Sequence, residues 1–503
     1  TGGLHQDGRL ATLTDCTFSG NTTVNNGGAI YATGGAICRI VQCTLSDNAA
    51  GTVSGGSGGA LMTYAGTQVH FLHSTIAGNT ADTTGGGIQV TPGQGVTVTL
   101  DHCIVADNTG ASGAADDING AYTAKNTNLV EAHPAGTRTG PAPLTADPLL
   151  SPLGNWGGPT ATRYLRPGSP AIDAGTVTAN TPATDQRGRP RLADGDNNAS
   201  VLLDLGAYEV GSTTVTTFAG SGPDSLPEIV NRRNGHEWIY FDGGVFDGTP
   251  ATTITLAAEL SVIGEALHFD ATNISGGVTV SGNDVTRIMS IDVGSIVEID
   301  TVHFTHGFTP VGENGAGIRS VGDLTVRGAI FSSNHAGGNG GGIEVTGPFN
   351  VDSLIFDGNS AAVDGGGLRY NDSGTLTLTN CTFSDNDAGQ SGGGARSNGS
   401  WAYTTSCTFS NNTAGSDGGA LYSAGTTDVT DCEYADNTAV GDGAGLWSAD
   451  AVNVINSPFT NNGSDGSGGG IFTTGSLTLT DSDFSGNSSL GAGGGLWAPG
   501  PVT

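Results

Sequence analysis

The chain has 503 residues, 86 of them Gly, and sets 16 basic against 47 acidic side chains for a net charge of −31. So many glycines would be ruinous in helices, which sets helical repeats aside, and so acidic a chain repels a phosphate backbone, which sets nucleic-acid binding aside. No apolar run approaches the roughly 20 residues that cross a bilayer, so no transmembrane segment is expected.

Residues 1–125 repeat one phrase: an aromatic or aliphatic residue, two small residues, an Asn, then a Gly-rich turn and Ile or Leu. Phe18-Ser-Gly-Asn21 before Gly27-Gly28-Ala29-Ile30 is one copy, and Asn21, Asn48, Asn79 and Asn108 are 27 to 31 positions apart. A period in that range marks a solenoid whose repeats pack only on their neighbours. Residues 126–211 lose the pattern to Pro, Arg and Trp, as in Gly154-Asn-Trp156-Gly-Gly-Pro159 and Asp204-Leu-Gly-Ala-Tyr-Glu209. This block reads as a C-terminal cap over the last open rung. Residues 212–238 read as a linker followed by a short capping helix. There Asp224-Ser225-Leu226-Pro-Glu228-Ile229-Val230 offers a cap, an early Pro and apolar residues at helical spacing.

Residues 239–503 then begin a second solenoid, in which Asn334, Asn359, Asn386, Asn412, Asn437, Asn462 and Asn487 recur every 25 to 27 positions. In a representative coil, Leu376-Thr-Leu378-Thr alternates apolar and polar as a half-buried strand does. A bend near Asn380 leads to Cys381-Thr-Phe383, a second inward face. Asn386 is expected at a left-handed turn with its amide in a ladder, and Gly392-Gly393-Gly394 at a turn that tolerates no side chain. Three short strands and three turns per coil make a parallel β-helix advancing about 4.8 Å per coil. Six of the seven cysteines, Cys16, Cys43, Cys103, Cys381, Cys407 and Cys432, hold the slot two before the Phe-type residue, and Cys38 is off the column. With no Cys-x-x-Cys pair and no zinc spacing, the column reads as small buried hydrophobes.

These residues resemble two related groups. The repeats look like those of polymorphic outer-membrane protein adhesins, at Phe18–Asn21 with Gly27–Ile30 and at Phe409–Asn412 with Gly418–Leu421. Residues 154–209 are similar to the cap of large bacterial secreted right-handed β-helix proteins. The opening Ser225-Leu226-Pro-Glu228-Ile229 departs from the usual Ser-Leu-Arg-(Gln/Glu)-Ala of that group. The resemblance implies an all-β fold, a right-handed parallel β-helix in two tandem partial solenoids, and an extracellular or cell-surface location. Both termini read as the interior of a coil. A longer tandem protein, or head-to-tail stacking of copies, would cover such ends.

The search for chemistry finds no nucleophile elbow, zincin motif or phosphate loop. The 15 arginines show no column on one face of the repeats, and Arg163, Arg166, Arg187, Arg189 and Arg191 of the cap read as structural. Asp116-Asp117 and His306-Gly307 echo glycosidase fragments but lie in different half-modules. The histidines His5, His70, His73, His102 and His133 share no repeat slot. Cation sites are the candidates that remain. Asp364, Asp417 and Asp442 each precede by four the Leu after the Gly turn. Asp417 and Asp442 should therefore stack about 5 Å apart, repelling by roughly 0.8 kcal/mol in water. A Ca²⁺ ion would turn them into a ligand set; two solvated carboxylates are the alternative. Asp194-Gly-Asp196-Asn-Asn198 has oxygen ligands at alternate positions but lacks the Gly and Glu of a calcium loop. Trp401, Trp447 and Trp497 follow the Gly turns, and by alternation Trp447 and Trp497 point outward as a surface for a glycan, surface polymer or protein. The expectation is a non-enzymatic adhesin or shaft segment; the alternative is a polysaccharide-binding or pectate-lyase-like protein.

Overall fold

The computed structural model describes residues 4–51, 55–93, 95–154, 156, 158–166, 168–195, 200–231, 237–247, 253–264 and 266–503. They form two compact units, Thr1–Ser212 with Gly235–Trp238 and Thr213–Asn234 with Ile239–Thr503, each with its own hydrophobic core. Both are parallel β-solenoids, about 18 turns in total, with almost no helix. The unit of construction is the coil. Thr375–Thr379, Thr382–Ser384, Asp387–Ala388 and Ala395–Ser397 pair in parallel with Trp401–Thr405, Thr408–Ser410, Thr413–Ala414 and Leu421–Ser423 of the next coil. Repetition of that step builds sheets of up to ten strands.

A coil therefore has four strands where the spacing predicts three. The fourth, Asp387–Ala388, is only two residues long. The left-handed residue is not Asn386 but the one before it: Asp385, Asn411, Asp436 and Asn461 have φ of 55°, 56°, 55° and 55°. That reversal turns the following Asn inward, and the chain leaves it extended. Once inside, each amide is saturated. Asn412 Nδ2 donates to Asn437 Oδ1 (2.9 Å) and to the Phe383 carbonyl (2.9 Å). Its Oδ1 accepts from the Asn386 N–H (3.1 Å) and Nδ2 (3.0 Å). The same links join Asn334 through Asn487 in the second unit and Asn21 through Asn108 in the first. Beside the second ladder, Phe304, Phe331, Phe356, Phe383, Phe409, Tyr434, Phe459 and Phe484 stack in a single file with ring centroids 4.5–5.2 Å apart.

The Gly triplet works by two means. Gly392 takes φ 72°, whereas Gly393 and Gly394 are needed for closeness: a Cβ there would lie 2.3 Å from the Thr413 carbonyl oxygen and 2.6 Å from that of Ala420. The cysteine column is more than hydrophobic filling. The Cys407 N–H donates to Cys432 Sγ (3.3 Å), the Cys432 N–H to Ser457 Oγ (3.0 Å) and the Ser457 N–H to Ser482 Oγ (3.1 Å). Thiol and hydroxyl interchange here because each serves as an acceptor between coils. Burial pushes the Cys43 and Cys103 thiols up to about 12, so neither ionises near neutral pH.

Residues 126–211 do two things. Leu129–Val130 and Arg138–Thr139 continue the ladders of the first unit. The segment from Thr160 to Ala207 then runs back along the flank of the coils, hydrogen-bonding to Asp15, Thr17, Thr44, Ser46 and Thr75. Cladding of a side, rather than only of an end, was not expected. Its centre is a buried polar lock, with Arg187 paired to Asp185 (2.7 Å) and lying 3.4 Å over the Tyr208 ring. In the second unit the helix Leu226–Asn231 buries Leu226, Ile229 and Val230 in the core. Ser225 caps it, accepting the Glu228 N–H at 3.4 Å.

The first ladder ends on a carboxylate: Asp117 Oδ1 accepts Asn108 Nδ2 at 2.8 Å in the place of a further Asn. Burial raises Asp117 to about 7, against the hydrogen bonds that lower it. A carboxyl whose folded value lies above its unfolded one loses folding stability as pH climbs from about 4 to 7, and the loss is complete above that. Folding stability of the first unit, read as urea midpoints, should therefore fall between about pH 4 and 7, and Asp117→Asn should remove that pH dependence while costing about 1–3 kcal/mol at pH 5, because its Nδ2 would meet the Ala132 N–H that Oδ2 accepts at 2.7 Å. Asn412→Leu leaves buried partners in two coils unpaired. It should cost at least about 1–3 kcal/mol, with hydrogen exchange quickening first at the Asn386 N–H, whose acceptor is removed.

Candidate functional site

One outward column differs from the rest. The strands after the Gly turns, from Ile318–Ser320 to Leu496–Trp497, are in register, so their central residues stack. In order they are Arg319, Glu344, Arg369, Arg396, Tyr422, Trp447, Phe472 and Trp497. Their neighbours in each strand point inward and are apolar or small, so the fold constrains this position least.

Trp447 and Trp497 lie two coils apart as expected, but they are not an isolated exposed pair. Both are half-buried, and Phe472, 9% exposed, stands between them. Ring centroids are 4.3 Å apart for Tyr422–Trp447, 6.1 Å for Trp447–Phe472 and 4.4 Å for Phe472–Trp497, with planes within 9° of parallel. The Arg396 guanidinium sits 4.5 Å over Tyr422. The rings thus cover one another's faces and turn their edges outward. Trp401 is elsewhere, on the strand Trp401–Thr405 of a different sheet, stacked on Tyr403 at 5.7 Å.

Arginines do share a face, contrary to the expectation. Arg319, Arg369 and Arg396 occupy the column, and Arg287 reaches Glu259 (2.8 Å) and Glu313 (3.2 Å). Arg396 pairs with Asp364 (2.6 Å), and Arg369 lies 3.9 Å from Glu344. Burial raises the Glu344 carboxyl, and Asn314 and the arginines pull it back. The signal was present in the sequence, since each of these residues directly follows the apolar residue after the Gly turn. Reading only the tryptophans at that slot missed the other six.

The carboxylates proposed for a cation accept backbone N–H groups of the next coil. Asp417 Oδ1 accepts the Asp442 N–H (2.8 Å), Asp442 Oδ1 the Ser467 N–H (2.6 Å) and Asp364 Oδ1 the Ser391 N–H (3.2 Å). Asp417 Oδ2 also accepts from Ser416 Oγ at 3.3 Å. Asp417 and Asp442 are stacked neighbours, and each carboxylate caps the turn of the next coil. Among the described residues no three His, Cys, Asp or Glu side chains are grouped to hold a metal. Asp196 and Asn198 lie outside the described residues; Asp194 is half-buried and its carbonyl accepts from Ser212 Oγ.

Two histidines share a slot after all. His73 and His102 are both left-handed (φ 46° and 54°), buried, and stacked at 4.8 Å. Burial, with Arg191 and His102 adding, pulls His73 down to about 2. It stays neutral at ordinary pH and is unsuited to proton transfer there. No described helix is long and apolar enough to cross a membrane. The family model described as "Right handed beta helix region" matches residues 2–130 and 341–498, more than half of the chain. No curated protein matches it.

If Asp417 acts as a turn cap, Asp417→Ala should cost about 1–2 kcal/mol and Asp417→Asn much less, because the amide oxygen still accepts. Chelator should leave the melting temperature of the wild type unchanged. A calcium-dependent melting curve that Asp442→Asn abolishes would select the cation reading instead.

Proposed function

Because the chain belongs to the right-handed β-helix family, we propose that it is a non-enzymatic segment of a secreted or cell-surface β-helix protein, acting by contact as an adhesin or as a shaft. The observation that carries this reading is the single outward column from Arg319 to Trp497, where large and chemically varied side chains collect on an otherwise regular scaffold. Elsewhere along the regular coils the outward positions are mostly Thr, Ser and Asp, as on Thr382–Ser384 and Thr408–Ser410. Half-buried aromatics flanked by arginines are the composition of protein contact surfaces. The resemblance of residues 154–209 to the caps of secreted bacterial proteins supports the location. A polysaccharide-binding role is the second reading, favoured by Trp401 and Tyr403, which are 40% and 39% exposed on one strand.

Beads carrying the chain test both readings against protein-coated surfaces and polyuronate films. Retention on protein that Tyr422→Ser with Trp447→Ser lowers roughly tenfold, at an unchanged melting temperature, is the expected result. Retention on the films that depends on Trp401 selects the second reading. New reducing ends or unsaturated sugars in the film eluate would sink the non-enzymatic reading.

A further inference from the structure

The cap of the first unit reads its coils through a row of side-chain oxygens. Gln186 Nε2 donates to Thr17 Oγ1 (2.9 Å) and its Oε1 accepts from Thr44 Oγ1 (2.7 Å), so one planar amide spans two adjacent coils. Thr162 Oγ1 lies 2.8 Å from Thr44 Oγ1. Arg163 Nε donates to Ser46 Oγ (2.8 Å), and its guanidinium pairs with Asp47 (2.8 Å). The Ala207 N–H donates to Thr75 Oγ1 at 3.0 Å. Under this cladding Thr44, Ser46 and Thr75 are buried.

The second unit repeats the row without that cladding. Cys16-Thr17-Phe18-Ser19-Gly20-Asn21 returns as Cys381-Thr382-Phe383-Ser384-Asp385-Asn386 and as Cys407-Thr408-Phe409-Ser410-Asn411-Asn412. Thr382 and Thr408 are register partners on adjacent coils, as Thr17 and Thr44 are. Ser410, Asn411 and Glu433 follow in the positions of Ser46, Asp47 and Thr75, and each keeps an oxygen acceptor. Here Thr382, Thr408 and Ser410 are half-exposed, and Asn411 and Glu433 are exposed. Of the cap's arginines, Arg163 reaches a coil carboxylate, Asp47, and the second unit's flank carries Asp385, Asp431, Glu433 and Asp436.

We propose that Thr382, Thr408, Ser410, Asn411 and Glu433 are a docking row for a second polypeptide segment with the side-chain pattern of residues 160–207. A side-chain amide seats between the two Thr hydroxyls, and a guanidinium lies beside Ser410 and Asn411. This does not depend on the adhesive role of the Arg319–Trp497 column, which is on a different sheet.

The test titrates the full chain with a labelled synthetic polypeptide of residues 153–210. The chain's own cap fills the row from Thr17 to Thr75, so the probe is offered the second-unit row. Saturable binding is expected, weakened at least about tenfold by Thr382→Arg with Thr408→Arg, two half-exposed positions at which folding should survive. In a second arm the probe is joined to the chain by a flexible Gly/Ser linker, which raises its effective concentration to about millimolar. A photo-reactive side chain at position 410 should then cross-link to it. Binding that survives the double substitution, or cross-linking at background in the tethered form, overturns the proposal.

Discussion

Every backbone N–H and C=O in a coil has to be paired, and the partners lie one coil above and one below. That requirement governs the rest of the structure. Strands are held by ordinary parallel ladders, and much of each corner, the Gly turn included, by backbone bonds to the next coil. The corner N–H groups that remain are served by side chains that repeat at coil spacing: the Asn column, the Cys and Ser column, and the Asp417–Asp442 column. Each puts an oxygen or sulfur acceptor where the next coil's N–H arrives. Chemical identity matters less than the presence of an acceptor. Thus Cys432 is followed by Ser457, and Asn108 by Asp117.

The same requirement explains what could be read in the residues alone. Period, strand phase and inward faces follow from Asn386, Phe383 and Leu376, because those slots are filled by pairing and packing within one coil and its neighbours. The helix at Leu226–Asn231 was legible from its capping residues for the same local reason. Less legible was anything set by what lies one coil away. The left-handed residue was placed at Asn386 rather than at Asp385, because both residue types tolerate that backbone and only the neighbouring coil shows which one faces in. Asp417 reads in the sequence as a candidate metal ligand because the N–H that its Oδ1 accepts, that of Asp442, belongs to another repeat. The arginine column stayed hidden for a related reason. Arg319, Arg369 and Arg396 are far apart in sequence and come together only when coils are counted instead of residues.

The outward column and the flank row use one scaffold in opposite ways. Along Arg319 to Trp497 the backbone asks nothing of the side chain, and size and charge change from coil to coil. Along Thr17, Thr44 and Thr75 the side chains are small and similar, and the variety belongs to the segment that lies on them. In the first, the coils carry the information. In the second, they supply an even grid for another segment to read.

The Gln186 amide has a temporal consequence. Its bonds to Thr17 and Thr44 close loops of 169 and 142 residues, a large entropic span that is unfavourable until the intervening chain is already folded. The two hydroxyls stand one amide's width apart only when the coils bearing them are stacked without a slip. A coil skipped or shifted by one residue would turn a Thr away and leave half of the amide unpaired. Closure of the cap therefore comes late and acts as an inspection of the register of everything folded before it.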